Sequence, residues 1–195
     1  MLIDAERLKL FAAQIFRALG TSAAYADMVA EHLVEANLKG HDSHGVGMIP
    51  NYVYGAQKGY LNVNQGAQLV QDSGSVMLFD NNFGFGQVVG RQSVELAIDR
   101  ARSQGMVCVG ARNNYHLGRI GSYAEMVAGA GLVYVQFVNV VGHPPFVSAW
   151  GGRDKRMQTN PFCCAIPTDG DPIVLDMATS AIALGKARVA RLQGV

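Results

Sequence analysis

Little in this chain is available to staple it or to anchor it. Three of its 195 residues are cysteine, Cys108, Cys163 and Cys164. That odd number without CxxC spacing excludes a disulfide framework and a zinc knot built on paired thiols. All three lie in apolar runs and read as small buried hydrophobes. No apolar run approaches the roughly 20 residues that cross a bilayer, and Met1 to Glu6 lacks the basic flank and apolar core of a secretory leader. A cytoplasmic location and no membrane partner are therefore expected. Excess charge is missing too: 16 basic and 15 acidic residues are interspersed and sum to +1, which leaves no electropositive face for a nucleic acid. What is present is a 49% hydrophobic chain, enough for one good-sized domain with a helical appendage.

Asp4 is placed to cap a helix in which Leu8, Phe11, Ala12, Ile15, Phe16 and Leu19 recur at three-and-four spacing, with Gly20 at its end. Thr21 or Ser22 opens a second helix, striped by Tyr25, Met28, Val29, Leu33 and Ala36 and stopped by Gly40. His32 falls on that stripe and reads as a core residue without a chemical role. A short helix over 49–58 follows, and then the texture changes. Strands are expected at 67–70 and 76–79, joined by the turn Asp72-Ser73-Gly74. A helix over 87–103, a strand over 106–109, a helix over 120–128 and an apolar run over 132–138 come next. Strands at 162–166 and 173–175 and a helix over 180–192 close the chain. The pattern is α/β of the α+β type, with a helical segment at 1–65 and a mixed region at 66–195. The chain stops straight after a helix, without the strand the alternation leads one to expect, and so reads as a fragment.

The most concentrated chemistry is His41-Asp42-Ser43-His44-Gly45, just past the second helix. Two imidazoles, a carboxylate and a hydroxyl in five residues suit proton transfer near neutral pH. His41 and His44 have no accompanying fourth ligand and no H-E-x-x-H pattern, so no metal is expected. Gly84, Gly86 and Gly90 nearly match the dinucleotide fingerprint GxGxxG, but the third glycine comes one place late. The next strand also ends in Gly110-Ala111-Arg112 rather than in a ribose-binding acid. A tight strand-to-helix turn accounts for the same glycines. Asn113-Asn114-Tyr115-His116-Leu117-Gly118-Arg119-Ile120-Gly121 lies between a strand and a helix, where α/β proteins concentrate reactive groups. There His116 is flanked by amides and a phenol, and the glycines admit a ligand to the backbone. Thr159-Asn160-Pro161 and Asp176-Met177-Ala178-Thr179-Ser180 complete the set. Capping of the last helix explains Ser180 but leaves Asp176, at the end of an apolar strand, less well explained.

Taken in order, His41-Asp42-Ser43-His44-Gly45, Asn114-Tyr115-His116-Leu117-Gly118, Trp150-Gly151-Gly152, Thr159-Asn160-Pro161 and Leu175-Asp176-Met177-Ala178-Thr179-Ser180 resemble the type 2 malate/L-lactate dehydrogenase family, most nearly its hydroxycarboxylate dehydrogenase group. The resemblance implies a non-Rossmann NAD(P)-binding fold with a mixed, largely antiparallel sheet. It also implies a homodimer that interconverts 2-oxo and 2-hydroxy acids with NAD, or NADP as the alternative. It assigns His116, then His44, to proton transfer, and Ser43 and His44 to substrate. Cofactor contacts fall to His44, Gly118, Arg119, Ile120, Asn139, Thr159, Asn160, Val174, Leu175, Asp176, Met177 and Ala178. Many members carry arginine where this chain has Met48, so the usual clamp for a substrate carboxylate is absent at that position. Members also continue past residue 195, so the fragment alone is expected to lack part of the cofactor site. The competing readings are a Rossmann-type dehydrogenase using the Gly84 turn and a non-catalytic ligand-binding relative.

Overall fold

The computed structural model describes residues 2–142 and 144–181, together with 185 and 194, and divides into two compact units, Met1–Arg119 and Ile120–Val195. The expected closing helix lies, apart from its first residues and Gly185, outside the described residues.

The first unit opens with α1 (Ala5–Ala18) and α2 (Ala23–Leu38), whose caps are the ones the sequence indicates. The Asp4 carboxylate accepts the Arg7 N–H at 2.9 Å and Ser22 Oγ accepts that of Tyr25 at 3.4 Å, each satisfying a donor left open at a helix start. Phe16, Val29 and Leu33 form one buried cluster with Tyr52 of α3 (Ile49–Gln57), Leu61, Phe85 and Val88. Burial of each large side chain there contributes about 1.5–3 kcal/mol. The stripe on α1 is turned from its expected place: Phe11 is 60% exposed while Ala13 is buried, because Ala12 and Ala13 pack directly on Ala30 of α2. Two one-turn 3-10 helices, Asp42–His44 and Val46–Met48, link α2 to α3.

Strands β1 (Gln68–Asp72) and β2 (Val76–Asp80) form the expected hairpin, and β3 (Cys108–Arg112) joins β2 in parallel after α4 (Gly86–Gln104). Gly74 turns the hairpin at φ +73°, donating its N–H to Asp72 Oδ1 at 3.1 Å. Strand β3 begins later than Met106, because the parallel register pairs Val76 with Cys108 and leaves Met106 exposed. The same register corrects the reading of Cys108 as a buried hydrophobe. It stands on an edge strand and is exposed, whereas Cys163 is buried and Cys164 half-buried.

In the second unit β4 (Tyr134–Phe137), β7 (Phe162–Ile166) and β8 (Ile173–Met177) make an antiparallel sheet in the order β4-β7-β8, on which α5 (Gly121–Gly129) packs. A short antiparallel pair, β5 (Val147–Ser148) and β6 (Lys155–Met157), stands where no strand is expected from the sequence. The fold is α/β, and among the described strands only β2 and β3 pair in parallel. Among the described residues no helix is long and apolar enough to cross a membrane.

Candidate active site

The polar run after α2 is partly a structural device. Asn37, in the last turn of α2, donates from Nδ2 to Asp42 Oδ1 at 2.5 Å and accepts the Val46 N–H on Oδ1 at 2.8 Å. One amide thus ties together both 3-10 turns, and Gly45 lies against it so closely that a β-carbon would collide with it. Asp42 is consumed by this bracing. The neighbouring Ser43 Oγ lies 2.9 Å from His44 Nδ1.

His116 comes from the loop after β3, which is fastened to the turn after β2. The Phe83 N–H donates to the Asn113 carbonyl at 2.6 Å, that of Tyr115 to the Gly84 carbonyl at 3.2 Å, and Asn81 Nδ2 to Asn114 Oδ1 at 2.5 Å. Gly86 lies directly under the backbone of His116 and Leu117, where any β-carbon would overlap the His116 carbonyl. Of the near-fingerprint glycines, Gly86 therefore seats His116 and Gly84 accepts from Tyr115 through its carbonyl, as in a tight strand-to-helix turn. The result is a pair of stacked imidazoles, His44 and His116, with centroids 5.5 Å apart and planes within 17°. On its other side the His116 Nδ1 is 2.6 Å from Tyr52 Oη, which in turn receives Gln87 Nε2 at 2.7 Å.

The exit of this loop rests on His32. The Arg119 N–H donates to His32 Nε2 at 3.0 Å, and Gly118, at φ +73°, abuts the same imidazole. Burial pushes the His32 pKa down to about 4, so the ring is neutral at pH 7 and can accept. His32 is thus a positioning element, and Tyr52 and Gln87 join it as residues the sequence reading passed over. The signal was present as polar groups on buried apolar faces: His32 among Val29, Leu33 and Ala36, and Gln87 beside Val88 and Val89.

In the second unit the remaining candidates meet at one end of the sheet, where β4 and β8 end and β7 begins. Asn160, at φ +35°, accepts the Val140 N–H on Oδ1 at 3.0 Å, next to Asn139. Thr179 donates its hydroxyl to the carbonyls of Thr159 and Asn160 at 2.9 and 3.0 Å. Asp176 Oδ2 accepts the Gly121 N–H at 2.8 Å, capping α5 just past Ile120, which answers what a carboxylate does at the end of an apolar strand. Strand alternation sends Val174 and Asp176 to one face, while Leu175 and Met177 are exposed on the other. The segments 138–140, 159–162 and 174–179 offer amides, hydroxyls and backbone but no lysine or arginine. That donor set fits the carboxamide of a nicotinamide and the hydroxyls of a ribose rather than a pyrophosphate.

The sequence model of the malate/L-lactate dehydrogenase family matches residues 3–195. The chain belongs to the malate/L-lactate dehydrogenase family. It is 46% identical over 193 residues to hydroxycarboxylate dehydrogenase B of Escherichia coli O157:H7, covering 98% of this chain and 53% of that protein. To L-lactate dehydrogenase of Cupriavidus necator it is 43% identical over 196 residues, 100% of this chain and 56% of the relative. The solved structure of malate dehydrogenase from Pyrococcus horikoshii OT3 matches with a TM-score of 0.89 at 36% identity, over 95% of this chain and 53% of that one. The chain spans about half the length of the relatives it matches. Membership also sets aside the Rossmann reading, since the described residues contain no doubly wound parallel sheet. Met48, where many family members carry arginine, packs against the core cluster of the first unit and brings no charge to it.

Proposed function

We propose that the chain carries the proton-transfer machinery of an NAD(P)-dependent oxidoreductase that interconverts 2-oxo and 2-hydroxy acids. The observation that carries this reading is the stacked pair His44 and His116, with His116 anchored through Nδ1 to a buried phenol. A nicotinamide dinucleotide supplies the hydride when bound. His116 holds the proton that goes to the substrate oxygen, its imidazolium giving up an N–H while the electron pair stays on nitrogen. His44, with Ser43 against its Nδ1, contacts substrate or cofactor. The family resemblance assigns Gly118, Arg119, Ile120, Asn139, Thr159, Asn160 and Val174 to Ala178 to the cofactor, with NAD favoured and NADP the alternative. Relatives named for lactate, malate and hydroxycarboxylates support this substrate class. Free cysteines and the absence of a membrane-length helix among the described residues support a cytoplasmic enzyme, and family resemblance supports a homodimer.

The test is a steady-state screen of the whole protein with NADH and NADPH against small, aromatic and dicarboxylic 2-oxo acids. Consumption of either cofactor with at least one acid is expected. Consumption of neither across the panel overturns the proposal and favours a non-catalytic relative.

A further inference from the structure

We infer that Tyr52, held by Gln87, is a positioning residue that reserves Nδ1 of His116, so that Nε2 is the nitrogen that exchanges the proton. This rests on the reading of His116 as the proton carrier. Tyr52 is fully buried and Gln87 nearly so, and Oη of Tyr52 has His116 Nδ1 on one side at 2.6 Å and Gln87 Nε2 on the other at 2.7 Å. The phenol ring is clamped by aromatic rings, with Phe85 and Tyr115 both at 5.9 Å and nearly edge-on, and Phe16 at 6.3 Å.

Packing alone does not explain the arrangement. Phenylalanine at 52 and leucine at 87 would fill similar volume, whereas Gln87 leaves its Oε1 buried without a hydrogen-bond partner among the described residues, a costly choice for a core. A neutral phenol beside an imidazole has a property that a carboxylate or a carbonyl lacks: it both donates and accepts. With the Gln87 amide turned so that its otherwise unpartnered Oε1 accepts the Tyr52 hydroxyl proton, Oη accepts from Nδ1–H and the neutral ring leaves Nε2 open to take a proton. With His116 protonated the same two hydrogen bonds persist and Nε2 carries the second proton. When the imidazolium then releases its proton, the Nε2–H bond breaks, the proton bonds to the substrate oxygen, and the electron pair remains on Nε2. Nδ1–H stays donated to Tyr52 throughout. The relay thus serves both charge states without ionising a buried group.

The experiment is nitrogen NMR of this chain labelled with 15N-histidine, recorded across pH for the wild type, Y52F and H116N, with kcat and KM measured on the whole protein. The wild type is expected to show neutral His116 as the single Nδ1–H tautomer, and Y52F the mixture typical of free imidazole. His32, pinned by the Arg119 N–H, should keep its own tautomer in both and so reports that the fold is intact. In Y52F kcat should fall on the order of 10-fold to 100-fold, the scale on which orienting partners of functional histidines act, with KM within about 2-fold by the same reasoning. A mixture of tautomers, or the Nε2–H tautomer, in the wild type overturns the inference, even if Y52F fails to fold. So does Y52F that keeps the wild-type tautomer and kcat. Full activity in H116N instead overturns the assignment of the proton to His116, so the two failures are distinct.

Discussion

The backbone of His116 passes over Gly86 at a separation that leaves no room for a β-carbon at position 86. The start of α4 and the His116 loop are therefore one construction. The glycine is needed for close approach, since the stretch opens a helix with ordinary geometry.

Replacement of Gly86 by valine should accordingly displace His116 from Tyr52. A cost of about 1–3 kcal/mol is expected from overpacking, read in denaturant unfolding, together with loss of the single His116 tautomer. An unchanged His116 nitrogen spectrum in G86V would contradict the close approach.

The buried neutral His32 makes stability depend on pH in one direction. Its folded pKa of about 4 lies below the ordinary 6.5, so on acidification the unfolded chain takes up the proton first. The contribution is complete above about pH 6.5 and erodes as pH falls toward 4, by about 3 kcal/mol at 1.36 kcal/mol per pH unit. The H32Q variant keeps an acceptor and loses the titration. Its unfolding free energy should therefore be flatter over that window, and profiles parallel to the wild type would refute the assignment.

Asn37 bridges the two 3-10 turns that present Ser43 and His44. Asn37→Ala leaves the Val46 N–H and the Asp42 carboxylate without that amide and should cost about 1–2 kcal/mol. On the proposed role of His44 as a substrate or cofactor contact, it should also raise KM for the oxo acid more than it lowers kcat. Unaltered KM with normal stability would show that the bracing does not reach His44.

Asp176 caps α5 from β8. Asp176→Ala should lose about 1 kcal/mol, the usual worth of a helix cap, and weaken nicotinamide cofactor binding, whereas Asp176→Asn, which keeps an acceptor oxygen, should lie close to the wild type. Equal cofactor affinity in all three proteins would remove Asp176 from the cofactor side.

Local signals were legible in the sequence to the extent that local physics decides them. Periodicity and caps placed α1, α2, α3 and α4, and the Asp72-Ser73-Gly74 turn placed the first hairpin. The start of β3 was not, because a parallel register with Val76 sets it and an apolar Met106-Val107 misleads. The β5 and β6 pair is too short for alternation to show. His44 and His116 stood out by residue type and motif. Tyr52, Gln87 and His32 did not, because their roles come from contacts made across the fold, to His116 and Arg119, far away in the chain.

The central claim is that His116 carries the proton, and the direct measurement is the rate of NADH- or NADPH-dependent reduction of the preferred 2-oxo acid by the whole protein, compared among the wild type, H44N and H116N. A loss of about 10²-fold to 10⁴-fold in kcat is expected for H116N, the usual contribution of a general acid, and a smaller loss for H44N that falls mainly on KM. H116N turning over at the wild-type rate, or H44N losing more kcat than H116N, would contradict it.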